Sequence, residues 1–281
     1  MRAPTVTELR RGVLAVSVLH DVDIEPAALG VVLPGTPTVW VPWSEVRRAL
    51  AGHDPETTGR RRLADWLLAR RWAANISPEH LVQRMRPVGL PVEHVLHPGL
   101  DWVRERVLGD ALDLGLGAVD LDPADPDRVV LLPSTVLDAA GLDQEEMWTR
   151  TKVMLDDLGA LAVERVRRDR RGQLRPLGDC DVVTLLGSRV LRAALAADAG
   201  GMGAAVVPMR SRGWTRLSMI DPAFGPAAAR ATAPEDRGFE RPLLITACEL
   251  TVVAEGGRPA QIVLRDPAVS EESMTKDVLY R

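Results

Sequence analysis

The sequence predicts an α+β fold, with a helix-rich N-terminal half and an antiparallel sheet with packed helices in the C-terminal half. Three observations carry this. Carboxylate- or proline-marked helix starts recur at Asp54-Pro55-Glu56, Ser77-Pro78-Glu79 and Asp143 with Glu146. Short β-branched runs bounded by Pro and Gly stand apart from them at Val31–Leu33 and Thr38–Val41. Near the C-terminus two strand-like runs, Leu243–Ala254 and Ala260–Arg265, flank Glu255-Gly256-Gly257-Arg258-Pro259, a hairpin signal.

In chain order, Gly12–Leu19 is an apolar run after Arg10-Arg11, read as a buried element. His20, Asp21 and Asp23 follow at once with no small-residue cleavage site, so it is not taken as a signal segment. The helix opened at Asp54 is expected to reach Ala74 and bury Leu63, Trp66 and Leu67; the next runs from Ser77 to near Arg86, ended by Pro87. A third is expected over Leu100–Leu112. Asp120–Arg128, with prolines at 123 and 126, cannot continue a helix and is read as a linker. It divides the chain into an N-terminal α+β domain, 1–124, and a C-terminal one, 125–281.

Beyond it, Val129–Leu132 reads as a strand and Pro133–Ala140 as a helical turn or two. A long helix runs to about Arg168, with Met147, Thr151, Met154, Leu158 and Leu161 on one stripe. Asp181–Ala197 is a further helix. Strands at Ala204–Met209 and Trp214–Ile220 are joined at Ser211–Gly213, and Asp221–Pro242 is a proline-rich loop.

Composition narrows function only by exclusion. A chain of 281 residues, 46% hydrophobic and 26% charged, is ordinary for a soluble globular protein. A net charge of −4 provides no whole-molecule basic field, so nucleic acid is not the favoured partner. Only Lys152 and Lys276 are lysines among 35 basic residues, which together with abundant Ala, Gly and Val fits a high-GC bacterial genome. Codon bias therefore supplies part of the arginine. Two cysteines, Cys180 and Cys248, are too few for a disulfide framework, and no apolar run is long enough for a membrane span. The expectation is a cytoplasmic protein with both thiols free and Cys248 buried in its strand.

Specific chemistries fail on spacing. Gly200-Gly201-Met202-Gly203 stands after a helix and before a strand, the reverse of a dinucleotide-binding turn. On a helix His94 and His97 would share a face, with Glu93 nearby, but they are bracketed by Pro91 and Pro98 and lack further ligands, so no metal is expected. The Asp120, Asp122, Asp125, Asp127 series lacks the glycine and the regular spacing of a calcium loop. Cys180 lies between Asp179 and Asp181, which oppose a thiolate. No cofactor is implied.

What remains is Arg210, Arg212, Trp214 and Arg216. Alternation along a Trp214–Ile220 strand sets the indole on the arginine face rather than with Leu217 and Met219, a conflict between pattern and burial. Guanidinium groups recognise carboxylate or phosphate in a plane, and a Trp ring adds a flat contact. Residues 161–216 also carry eleven basic against five acidic side chains, after a segment, 111–160, with the opposite bias. Two readings follow. One is a non-catalytic binding or regulatory protein that uses this face for an anionic ligand or an acidic protein partner. The other is an enzyme acting on an anionic small molecule, with Asp179 or Asp181 as acid–base group.

Overall fold

The computed structural model describes residues 3–253 except 51, 52, 58, 93, 99–101, 108 and 110. The expected hairpin at 255–259 and the strand at 260–265 lie outside the described residues. The fold is α+β, with helices packed on antiparallel sheets in both halves.

The N-terminal part is a three-stranded meander under helices. Helix α1 (Val6–His20) starts at a capping box between Thr5 and Glu8. It buries Leu9, Gly12, Val13 and Val16, whereas Leu14, Val18 and Leu19 face outward, so only one face of the apolar run is covered. Strands β1 (Glu25–Pro26), β2 (Gly30–Leu33) and β3 (Val39–Pro42) pair in sequence order. Helices α2 (Trp43–Leu50) and α3 (Arg60–Ala73) close a core containing Val31, Val41, Val46, Leu63, Trp66 and Leu67. α3 starts five residues later than the Asp54 signal implies. The Asp54 carboxylate accepts from Glu56 N and its carbonyl from Gly59 N, so the segment is a turn. Pro55 sits against α1, where a Cβ on Gly12 would come within 2.5 Å of the Pro55 Cβ.

α4 (Pro78–Arg84) is capped by Ser77 as expected and leads directly into β4 (Met85–Pro91). β4, β5 (Arg104–Val107), β6 (Leu112–Ala118) and β7 (Val130–Leu131) form the middle sheet. The helix expected over Leu100–Leu112 is therefore a correction: the chain there enters β5 and then β6. β6 reads Leu-Asp-Leu-Gly-Leu-Gly-Ala, without β-branched residues, and its glycines have a packing cause. A Cβ on Gly115 would fall 2.5 Å from the indole of Trp102, which lies across the strand and donates from Nε1 to Leu116 O at 2.7 Å. β4 is an edge strand. Beyond Met85, where α4 ends, its outward amide positions are Pro87, Gly89 and Pro91; the prolines have no N–H, and Gly89 N donates to Thr184 Oγ1 at 2.8 Å.

Asp120–Arg128 is a non-helical loop joining β6 to β7, which pair through Gly117 with Leu131 and Ala118 with Val130. Its tip is exposed, but Leu121 and Asp122 are buried.

α5 (Ser134–Ala139) and α6 (Gln144–Arg168) follow, the latter capped by Asp143. Over 25 residues the apolar stripe of α6 drifts. Its buried positions are Met147, Thr151, Leu155, Gly159, Ala162, Val163 and Val166, and Leu161 is exposed. Gly159 does not break α6; it lets α8 approach. β8 (Gln173–Leu174) precedes α7 (Val182–Leu185) and α8 (Arg189–Ala197), so the single helix expected over Asp181–Ala197 is interrupted at 186–188. Ser188 starts the second helix, and Asp156 of α6 accepts from Ser188 Oγ at 2.7 Å and Arg189 N at 2.9 Å.

β9 (Gly203–Met209), β10 (Arg212–Trp214), α9 (Phe224–Ala231), β11 (Leu243–Ile245) and β12 (Leu250–Val252) complete the chain. The last sheet has the order β12-β11-β9-β10-β8. Three expectations change here. The Trp214–Ile220 strand ends at Trp214 and continues as a 3₁₀ turn over Leu217–Met219. The 221–242 loop contains α9. The Leu243–Ala254 strand is itself a hairpin, turned by Thr246 Oγ1, which accepts from Cys248 N and Glu249 N. Cys248 is consequently exposed, against the expectation of burial, whereas Cys180 is buried; both are free thiols.

Candidate functional site

β10 supplies two of the expected site residues to one face of the last sheet. Arg212 pairs with Met209 and Trp214 with Val206, so three steps on β9 span two on β10. The extra residue is a bulge at Val207–Pro208, which accommodates a proline in a central strand. Gly213 points into the core, where a Cβ would fall 2.7 Å from Val207 Cγ2, leaving Arg212 and Trp214 on the opposite face. Trp214 is half-buried there, edge-on to Phe224 of α9, with ring centroids 5.0 Å apart at 87°. The indole is thus on the arginine face, but through Arg212 rather than through a continued strand. Arg216 lies past the strand end and donates from Nη1 to Arg170 O at 2.6 Å.

Arg210 is drawn elsewhere. It stands before the turn into β10 and its Nε donates to Asp181 Oδ2 at 2.6 Å, while Asp181 Oδ1 caps α7 by accepting from Thr184 N. Asp179 is likewise ion-paired, 2.6 Å from Arg86 Nε. The two carboxylates assigned to the enzymatic alternative are therefore both held by arginines. Between them, burial, reinforced by Asp181 and Asp179, pushes the Cys180 thiol up to about 12. It stays protonated at neutral pH.

Sequence reasoning missed the other half of the basic face. β8 pairs with β10, Leu174 opposite Gly213 and Gln173 opposite Trp214, which brings the end of α6 and the Arg170–Arg175 turn beside Arg212 and Arg216. One step along this register Arg212 comes level with Arg175, a like-charge neighbour that disfavours the pairing. Arg165, Arg170, Arg171, Arg175, Arg212 and Arg216 are all exposed, and none has a carboxylate within 4 Å among the described residues. Nearby acids are already engaged: Glu164 with Arg168, Asp198 with Arg167, and Asp169 as acceptor of Arg171 N. A groove of about 460 Å³ runs between α6 and β8, lined by Arg165, Arg168, Arg175 and Gln173 over Val166 and Leu174. The only sequence signal for this assembly is the basic bias of residues 161–216.

His94 and His97 are structural in their contacts. His94 is buried, accepts from Leu96 N at Nδ1 and donates from Nε2 to Arg237 O at 3.0 Å. Burial, with Arg210 nearby, holds it down to about 4, so the ring is neutral. His97 bonds the buried Asp113 at 2.9 Å and meets the Trp102 ring edge-on. Among the described residues no group of three or more His, Cys, Asp or Glu side chains is placed to hold a metal ion, and no helix is long and apolar enough to cross a membrane. Comparison of the chain with protein-family models, curated proteins and solved structures returned no match.

Proposed function

We propose that the protein is a non-catalytic binding or regulatory protein that engages an acidic protein partner through the β8–β10 face. The carrying observation is the six exposed arginines that converge there without carboxylate partners. An uncompensated cluster of planar guanidinium groups favours carboxylates, which they can meet in bidentate geometry. Arg212, Trp214 and Arg216 sit at its centre, with Trp214 braced by Phe224 as a rigid apolar contact. A protein partner is preferred to nucleic acid because the whole chain carries −4 and provides no long-range field for a polyanion. The reading places the protein in the cytoplasm of a bacterium, where the exposed Cys248 stays reduced.

Fluorescence anisotropy with a labelled Glu/Asp-rich peptide tests this, with a single-stranded oligonucleotide of equal charge as comparator. The peptide should bind, weaken with salt, and lose about tenfold affinity in Arg212→Ala/Arg216→Ala. Tighter binding of the oligonucleotide would transfer the face to nucleic acid. Peptide binding that ignores both salt and the double replacement would remove the face from consideration.

A further inference from the structure

A second basic site lies on the middle sheet, away from the β8–β10 face. Helices α6 and α7 cover one side of that sheet. On the other side Val88 and Leu90 of β4 and Leu131 of β7 form the floor of a cavity of about 560 Å³, with Leu96 as a wall. That volume is in the range of small-molecule sites. The rim is polar and mainly basic: Arg61 and Arg62 of α3, Arg128 and Arg210 reach it, with Asp65 the one lining carboxylate among the described residues.

Three of these arginines are already engaged. Arg128 is 2.7 Å from Asp65 and 3.2 Å from Asp122. Arg210 is 2.6 Å from Asp181, and Arg61 is 3.4 Å from Glu235. Arg62 has no hydrogen bond or ion pair among the described residues, although it is half-buried. A guanidinium stays charged at any physiological pH, and burial weighs against the charge of this one, so an anionic acceptor there would be favoured. The engaged arginines are fixed by their carboxylates and shape the rim, so one positive charge at the mouth of an apolar pocket is unclaimed.

We propose that this cavity binds a small organic monoanion, a carboxylate carried on an apolar body. The carboxylate pairs with Arg62 and the body lies over Val88, Leu90 and Leu131. The single unclaimed charge sets the preference for a monoanion over a phosphate monoester. The floor sets the requirement for an apolar body, which acetate lacks. Arg210, expected from the sequence to serve the same face as Trp214, belongs to this site instead.

Isothermal titration of the full chain with octanoate, octanol, acetate and octyl phosphate tests the assignment. Octanoate should bind at least about tenfold more tightly than each of the others, and Arg62→Gln should lower its affinity by about tenfold or more. Arg62→Lys, which keeps the charge, should recover part of it. Amide shifts of the wild-type protein provide a readout independent of any variant: octanoate should move resonances of Arg62, Val88, Leu90 and Leu131. Three results would each overturn the proposal: no octanoate binding, equal binding to Arg62→Gln, or shifts confined to other regions. Stronger binding of octyl phosphate would overturn the monoanion assignment. Peptide binding at the β8–β10 face should not change with octanoate present, so the two sites fail or stand separately.

Discussion

Replacing Gly159 with Ala sets two effects of known sign against each other. In a helix interior the change should stabilise by about 1 kcal/mol, because Gly loses more backbone freedom than Ala. The structure reverses that expectation. The new Cβ would land on Ser188 Oγ and 2.6 Å from Ser188 Cβ. Ser188 cannot turn aside without loss, since it is fully buried, donates to Asp156 and accepts from Leu191 N. Overpacking of one methyl costs about 1–3 kcal/mol, and each hydrogen bond displaced from Ser188 about 1 kcal/mol more. Net destabilisation of about 1–3 kcal/mol is expected, a fall in melting temperature of roughly 2–5 °C for a chain of this size. Thermal unfolding followed by circular dichroism measures it. Gly159→Ala together with Ser188→Gly removes the clash but also both Ser188 hydrogen bonds, so it should recover only the overpacking part of the loss. A single variant as stable as wild type, or more so, would show that α6 and α8 are not held at this separation.

Arg212→Ala/Arg216→Ala should leave the melting temperature nearly unchanged, because exposed substitutions stay within about 0.5 kcal/mol; a large drop in a thermal melt would mean that these arginines support the sheet. Under native conditions Cys248 should react with a thiol reagent and Cys180 should not until the protein unfolds, read by mass spectrometry of the labelled peptides. His94 is neutral in the fold and held down to about 4, so its contribution to stability is complete above its unfolded value of about 6.5 and is lost as pH falls towards 4. The loss is about 3 kcal/mol at most. His94→Asn should flatten denaturation midpoints between those limits, and an unchanged slope would exclude His94 as their source. Proteolytic cleavage in the Asp120–Arg128 loop should leave the two pieces associated on gel filtration, because β6 and β7 pair across it.

The parts of this fold legible in the sequence are those decided locally. Ser77 and Asp143 cap helices where their spacing says they should, and β2 and β3 fall on the β-branched runs. β5 and β6 were illegible because what makes a glycine-rich strand stable there, the Trp102 indole laid across Gly115, is a packing contact that no local pattern announces. The Asp54 start failed for a similar reason: its carboxylate and carbonyl close a turn that is pressed on α1. At the site, nearness in sequence misled. Arg210 and Arg212 are two residues apart, but the turn between them sends Arg210 to Asp181 and leaves Arg212 on the outer face. Arg170, Arg171 and Arg175 lie some forty residues upstream, and only the pairing of Leu174 with Gly213 brings them to the same place. Arg62 carried no signal at all, since a lone arginine in an arginine-rich helix looks like every other.

The edge of β4 has a consequence for how the protein behaves when crowded. An open strand edge is a template on which a second chain can lay its own backbone and begin a growing ladder. Along β4 the positions that would donate to such a chain are two prolines and one amide already given to Thr184. A newcomer would find acceptors but no donors, and would have to leave half of its own bonding groups unmet. Thr184→Val would reopen a single amide among blocked neighbours, too little to seed a ladder. The margin is guarded twice, by the missing donors and by α7, whose backbone lies against Gly89.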